Sequence, residues 1–193
     1  ANSFTVQWFP GGSMVFELKN VSFSYPGGSP GLSSVSLKVS EGERVAILGP
    51  NGSGKSTLLK LMDGLLFPES GSMLFRGVAI TKQVFSDQNF NRSFRKSVGL
   101  VFQDPEVQLF TSSVREEVAF GPVQLGLTDE EVSARINNAL AFLNIQGLEE
   151  RSPFQLSAGE KKKVAIASIL AVNPDVLLLD EPTADLDPRS VWE

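Results

Sequence analysis

The stretch Gly49-Pro50-Asn51-Gly52-Ser53-Gly54-Lys55-Ser56-Thr57 decides the fold. It fits G-x-x-x-x-G-K-[ST], the phosphate-binding loop, without a mismatch. The bare pattern also arises in glycine-serine turns by accident, so its flanks carry the decision. Ahead of it, Arg44-Val45-Ala46-Ile47-Leu48 is a short apolar, partly β-branched run that predicts a buried strand. Behind it, Thr57-Leu58-Leu59-Lys60-Leu61-Met62-Asp63 predicts a helix that stops near Gly64. Strand, glycine loop and helix is the setting in which the motif has a mechanism. Gly49, Gly52 and Gly54 let backbone N–H groups wrap phosphate oxygens where side chains would collide. The helix start adds unpaired donors and positive dipole. Lys55 then meets the β- and γ-phosphates, and Ser56 puts its hydroxyl on Mg²⁺. Asn51, Ser53 and Thr57 complete the candidates for nucleotide contact.

A chain of 193 residues is enough for one domain with a real core, with room for an attached lobe. Hydrophobic content of 41% and charged content of 20% place it among globular proteins rather than disordered ones. A formal charge of -5 argues against broad nucleic-acid binding, and no nucleic-acid partner is expected. With no cysteine, disulfides, thiolate catalysis and cysteine-based metal sites are excluded. No apolar run is long enough to cross a bilayer, and the first residues lack the layout of a signal peptide.

Residues 1–13, ending Pro10-Gly11-Gly12-Ser13 before Met14, look foreign to the rest of the chain and read as an expression remnant or upstream extension. A native strand around Phe4–Phe9 is the alternative. From Met14 the pattern alternates: Phe16 and Leu18 oppose Glu17 and Lys19, and Val21, Phe23 and Tyr25 oppose Ser22 and Ser24. Pro26-Gly27-Gly28 breaks the run, and Val35, Leu37 and Val39 resume it. A further strand is expected over 72–76, between Gly71 and Gly77. The first half therefore predicts a small antiparallel sheet fused to a phosphate-loop core. After a second core strand, Val98-Gly99-Leu100-Val101-Phe102, the texture becomes helical. Ser113-x-x-Glu116, Thr128-x-x-Glu131 and Ser157-x-x-Glu160 are possible capping boxes. The second opens a run with Val132, Ile136, Ala139, Leu140 and Leu143 at helical spacing. The third opens a helix from Ala158 to about Val172, stopped by Asn173-Pro174. A helical subdomain over about 105–172 thus precedes the apolar run Val176-Leu177-Leu178-Leu179, which predicts a buried strand.

That strand ends in Asp180-Glu181. An acid at the carboxyl end of such a strand can hold the Mg²⁺ that Ser56 also touches, and Asp180 takes that role. Glu181, one position on, can polarise an attacking water. Two acids that merely end a strand at the solvent are the plainer possibility. Leu156-Ser157-Ala158-Gly159-Glu160 is either a capping box alone or, with a serine at a helix start and a following glycine, a second anion site.

With these motifs in place, the chain from about Met14 onward resembles the nucleotide-binding subunit of ABC transporters. The family signature is usually Leu-Ser-Gly-Gly-Gln; Ala158 and Glu160 depart from it, keeping a small residue and a capping-competent one. The resemblance implies an α/β fold: a P-loop NTPase with a RecA-like parallel core, an antiparallel β subdomain and an inserted helical subdomain, over 14–193. It implies that Ser157 and Gly159 act in trans on the γ-phosphate held by a second ATP-binding subunit, identical or not. It makes Tyr25 the aromatic that stacks on adenine, where position alone allows a core aromatic. It makes Gln103 a catalytic and Mg²⁺-sensing glutamine that also senses the membrane partner, where position alone allows a surface side chain. Ala184-Asp185-Leu186-Asp187 matches the D-loop; on residues alone, Thr183–Pro188 is a turn.

Phe102-Gln103-Asp104-Pro105-Glu106-Val107-Gln108-Leu109-Phe110 and Val118-Ala119-Phe120-Gly121-Pro122 look most like the energy-coupling-factor and cobalt/nickel import ATPases. In that group the subunit lies peripherally on the cytoplasmic face of the membrane, beside a transmembrane transporter subunit. The implied activity is hydrolysis of Mg-ATP to energise import of a vitamin or metal ion, with Glu181, Gln103 and Lys55 as catalytic residues. The alternatives are a soluble cassette of repair or translation, or a nucleotide-binding fragment that does not turn over. The family also carries a switch histidine on a strand after the D-loop. This chain has no histidine, so a C-terminal truncation is expected.

Overall fold

The computed structural model describes residues 5–7 and 12–182. They run as β1 (Thr5–Gln7), β2 (Met14–Ser24), β3 (Pro30–Ser40), β4 (Ala46–Leu48), α1 (Lys55–Met62), β5 (Ser70–Phe75), β6 (Val78–Ala79), α2 (Lys82–Phe85) and α3 (Gln88–Ser97). β7 (Val98–Val101), α4 (Val114–Gln124), α5 (Asp129–Phe142), α6 (Ala158–Val172) and β8 (Val176–Leu179) complete the order. Contacts divide the chain into two compact units, Ala1–Arg92 and Ser93–Glu193.

In the first unit, β2 lies between β3 and β5 in a four-stranded antiparallel sheet of order β3-β2-β5-β6. The alternation read from the sequence buries Phe16, Leu18, Val21 and Phe23. Leu18 and Val21 are three apart, so a regular strand would send them to opposite faces. The register shifts between them, with Asn20 at φ 49°. This bulge returns Val21 to the core face, and the Asn20 N–H is satisfied by Ser36 Oγ at 2.9 Å. β6, α2 and α3 were not anticipated. α2 and α3 occupy a polar stretch that runs from the first unit into the second, and Phe94, in the second, is the buried residue of α3. Their signals are the Thr81 cap on α2 and Asp87, whose carboxylate accepts from the N–H groups of Asn89 and Phe90.

Residues 5–7, within the stretch read as an N-terminal extension, form a short strand. β1 pairs antiparallel with β4, Val6 opposite Ile47. This is the centre of the alternative Phe4–Phe9 strand. The phosphate-loop strand was expected to be buried, yet Leu48 is 52% exposed. Among the described residues β4 pairs with β1 and no other strand, which accounts for the incomplete cover.

In the second unit β7 and β8 pair in parallel, Val98 opposite Val176 through Val101 opposite Leu179. β7 is buried along its whole length, whereas in β8 only Leu178 is. The leucine run predicts a strand covered on both faces; Leu177 and Leu179 share the uncovered one. α6 packs on β7 so closely that a Cβ on Gly99 would lie 2.4 Å from Ile169 Cγ2. Val114, Val118, Val132, Ile136, Leu140 and Val164 belong to the buried core that joins α4, α5 and α6. Full capping boxes start α5 at Thr128 and α6 at Ser157. At α4 the box is half made: Ser113 accepts from the Glu116 N–H, but the Glu116 carboxylate turns back to Ser112. Asn173, left-handed at φ 58°, ends α6 ahead of Pro174. No helix among the described residues is long and apolar enough to cross a membrane.

Candidate functional site

The glycine loop joins β4 to α1 in the first unit. Gly52 and Gly54 have φ of +79° and +97°, conformations that L side chains rarely adopt. Gly54 is the N-cap of α1 and supplies no side-chain cap. Its carbonyl takes the first helical bond from the Leu58 N–H at 2.9 Å. The first N–H groups of any α-helix lack intrahelical partners, and the positive end of the helix dipole lies there too, so the start of α1 suits an anion. Lys55 folds over the loop, its Nζ donating to the carbonyls of Gly49 and Pro50 at 2.9 and 3.0 Å. Ser53 Oγ is buried and, among the described residues, is the one buried side-chain polar atom without a hydrogen-bond partner. A buried orphan hydroxyl is costly unless something fills its bond. Orphan hydroxyl, positive-φ glycines and folded lysine together fit a phosphate group. Asn51 sits exposed at the loop tip. Tyr25 comes just after β2 and is 36% exposed, with its ring edge-on to Phe23 at 5.1 Å. Its hydroxyl is 3.0 Å from Thr57 Oγ1. It is thus tied to α1 by its hydroxyl and open to solvent, rather than a core aromatic.

The second set forms at the carboxyl ends of β7 and β8. Parallel pairing brings the two ends level, and the Asp180 N–H extends the ladder to the Val101 carbonyl at 3.0 Å. Asp180 is buried. Glu181 then takes φ 46°, unusual for a non-glycine residue and characteristic of sites held by their surroundings. Its Oε2 accepts from Gln103 Nε2 at 2.9 Å across a separation of 78 residues. Gln103 and the Asp180-Glu181 pair, picked out separately in the sequence, therefore meet at one end of one ladder. Asp180 and Ser56 are hard oxygen donors of the kind Mg²⁺ takes.

Ser157 caps α6 and is exposed. Its N–H and its hydroxyl both donate to Glu160 Oε2 at 2.8 Å. The Ser157 N–H, and after it the Ser157 hydroxyl, hold the Glu160 carboxyl below the usual carboxylate range. A carboxyl whose pKa is lowered by folding adds stability above its unfolded pKa and loses it as pH falls through the folded value. Wild-type protein should therefore lose its thermal advantage over Glu160→Gln on acidification below the ordinary carboxylate range. Paired melts between neutral pH and pH ~3 check this; a difference independent of pH would refute it. Gly159 lies in the first turn of the same helix. The D-loop match, Ala184–Asp187 within Thr183–Pro188, lies outside the described residues.

Three polar side chains were missed. Lys162 is 1% exposed, and its Nζ donates to the carbonyls of Phe102 and Gln103, each at 2.8 Å. Gln108 donates to the Ala165 carbonyl and to Ser168 Oγ, and its Oε1 accepts from the Phe102 N–H. Glu117, 3% exposed, accepts from the N–H groups of Phe110 and Thr111 and from Thr111 Oγ1. Lys162 was hidden inside the run Lys161-Lys162-Lys163, which reads as a solvated face. The available signal was helical phase, since Lys162 lies three residues before the buried Ala165.

The sequence profile of the ABC transporter family matches residues 32–184. The chain belongs to this family. It is an ABC ATPase domain, and its phosphate loop and β8 acids fall inside the matched range. The energy-coupling factor transporter ATP-binding protein EcfA2 of Methanospirillum hungatei is 48% identical over 90% of this chain and 43% of its own length. The nickel import ATP-binding protein NikO of Rhodobacter capsulatus is 51% identical over 91% of this chain and 68% of its own. The chain thus spans less than half of the first relative. The solved structure of cbiO1 from Clostridium perfringens, part of the ABC transporter complex cbiONQ, is similar with a TM-score of 0.76 and 36% identity. That match covers 94% of this chain and 70% of cbiO1. A dimeric ABC cassette in a post-hydrolysis state bound to ADP and Pi is similar with a TM-score of 0.79 and 29% identity, over 91% of this chain and 77% of that one.

Proposed function

We propose that this ABC cassette hydrolyses Mg-ATP to energise import of a vitamin or metal ion through a membrane transporter complex. The observation that carries the reading is the convergence of buried Asp180, Glu181 and Gln103 at the ends of β7 and β8. In this reading Glu181 accepts the proton of the attacking water, and Gln103 orients its carboxylate. Lys55 leaves the Gly49 and Pro50 carbonyls to meet the β- and γ-phosphates. Ser56, Asp180 and Gln103 are the residues proposed to serve Mg²⁺, which would neutralise charge developing on the transferring phosphoryl group. Tyr25 stacks on adenine with its exposed face. Ser157 and Gly159 act in trans on the nucleotide of a second ATP-binding subunit; the dimeric relative supports that arrangement.

The vitamin or metal cargo is supported by the relatives named for energy-coupling factor and nickel import. A place on the cytoplasmic face of the membrane, beside a transmembrane subunit, is supported by the same names. It is further supported by exposed Phe110 and Phe120, stacked edge-on at 4.9 Å on the second unit. Thermal unfolding with and without Mg-ATP, beside Lys55→Ala, tests the binding step. Nucleotide at about 100 times its dissociation constant should add about 2.7 kcal/mol to the wild type and nothing to Lys55→Ala. A wild-type melt indifferent to Mg-ATP would overturn the reading.

A further inference from the structure

We propose that Lys162 is a positioning residue that ties the signature helix to the catalytic carboxylate by fixing the backbone of Phe102 and Gln103. The inference rests on the hydrolytic role proposed for Glu181. Lys162 lies in α6, the helix that Ser157 caps, and its ammonium is out of water. A buried ammonium is tolerated only where acceptors replace its hydration. Here two successive carbonyls do so, those of Phe102 and Gln103 at 2.8 Å. The other side of the same peptide run is also tied to α6. The Phe102 N–H donates to Gln108 Oε1 at 3.3 Å, while Gln108 Nε2 donates to the Ala165 carbonyl at 3.0 Å. Residue 102 thus has its N–H held by one α6-anchored side chain and its carbonyl by another.

Gln103 is the next residue, and its side-chain amide is what touches Glu181. The position of that amide is therefore set by α6, through Lys162. A displacement of α6, such as a ligand at Ser157 and Gly159 would produce, is passed to Glu181 by two links, Lys162 to the Gln103 backbone and Gln103 to the carboxylate. Lys162 touches no reacting atom in this scheme. Its effect on turnover passes through Gln103.

The test uses the protein in its native assembly with three variants, Lys162→Met, Gln103→Ala and the double substitution. Lys162→Met keeps the length and apolar body of the side chain and removes the donors. Loss of positioning should lower kcat on the order of 100-fold with KM unchanged. The double variant should be no slower than Gln103→Ala alone, because the first effect acts through the second residue. Hydrogen exchange of the nucleotide-free protein gives a readout apart from activity: exchange should rise at 102–109 in Lys162→Met and stay unchanged in α5. If Lys162→Met does not fold, Lys162→Gln, which keeps an N–H donor, should fold and show a smaller change of the same kind. Multiplicative effects in the double variant, a rise in KM matching the fall in kcat, or unchanged exchange at 102–109 would each overturn the proposal. An assembly that hydrolyses ATP with Lys162→Met at the wild-type rate overturns this inference alone, whereas a wild-type assembly that does not hydrolyse ATP overturns the reading beneath it as well.

Discussion

Glu181→Gln should lower kcat for ATP hydrolysis by roughly 10²–10⁴-fold, the usual contribution of a positioned general base. The structure makes this a clean substitution. The bond from Gln103 Nε2 ends on one oxygen of the side chain, Oε2, and a glutamine keeps an oxygen that can accept it. The left-handed backbone at 181 is no harder for glutamine than for glutamate, since both carry the same Cβ. The change removes the ability to take a proton. Nucleotide binding should survive, so KM stays near its wild-type value, the pattern of an interaction made only in the transition state. Steady-state kinetics on the assembled protein check this. A variant that keeps more than a tenth of the wild-type kcat would remove Glu181 from the role of base.

The second large effect is expected at Gly54→Ala. A side chain at φ +97° is strained by about 1–3 kcal/mol wherever it points. Here it also has nowhere to point: an added Cβ would lie 2.5 Å from the Gly31 carbonyl oxygen and 2.8 Å from Leu32 Cδ2. The leucine can rotate, but the backbone carbonyl cannot without moving β3. Overpacking of this kind costs about 1–3 kcal/mol more. Gly52→Ala separates the two causes, because Gly52 shares the positive φ but has open space around it. Urea melts without nucleotide should therefore show Gly54→Ala losing clearly more stability than Gly52→Ala. The response to Mg-ATP should disappear in Gly54→Ala, because the start of α1 has shifted. Equal losses in the two variants would mean that conformation alone is responsible and that the contact with β3 yields freely.

The phosphate loop was legible because its requirements are local. Positive φ at Gly52 and Gly54, a helix starting at Lys55 and a short strand before it are all consequences of adjacent residues. The same holds for α5 and α6, whose capping boxes at Thr128 and Ser157 appear as read. α2 and α3 were not legible, since between Lys82 and Ser97 hydrophobic periodicity is carried by few residues and Phe94 alone becomes buried. The one-sided burial of β8 was also out of reach: a run of leucines states that a strand is apolar, not how many layers will cover it. The bulge at Asn20 had a signal that went unused: the core positions Leu18 and Val21 are an odd number of residues apart, which a regular strand cannot put on one face. Within the candidate site, Asp180 and Glu181 could be read from an apolar strand ending in acids. Their meeting with Gln103 spans 78 residues and was reachable only through resemblance to a family. Lys162 is the opposite case: its charge suggests exposure, although its helical phase points inward.

The close approach of β3 to the glycine loop has a consequence for how mutational maps of this protein would look. Gly31 lies in a strand well upstream and carries no side chain that a nucleotide could use. Yet a methyl group there would meet Phe23 Cδ1 and Thr57 Cγ2 at 3.0 Å, while the Gly31 carbonyl is the atom that leaves no room at Gly54. In a saturation scan scored by nucleotide retention, position 31 should cluster with positions 52–57 and not with its own strand. Variants recovered there would be mistaken for ligand contacts. They would instead report how firmly the sheet sets the shape of the loop.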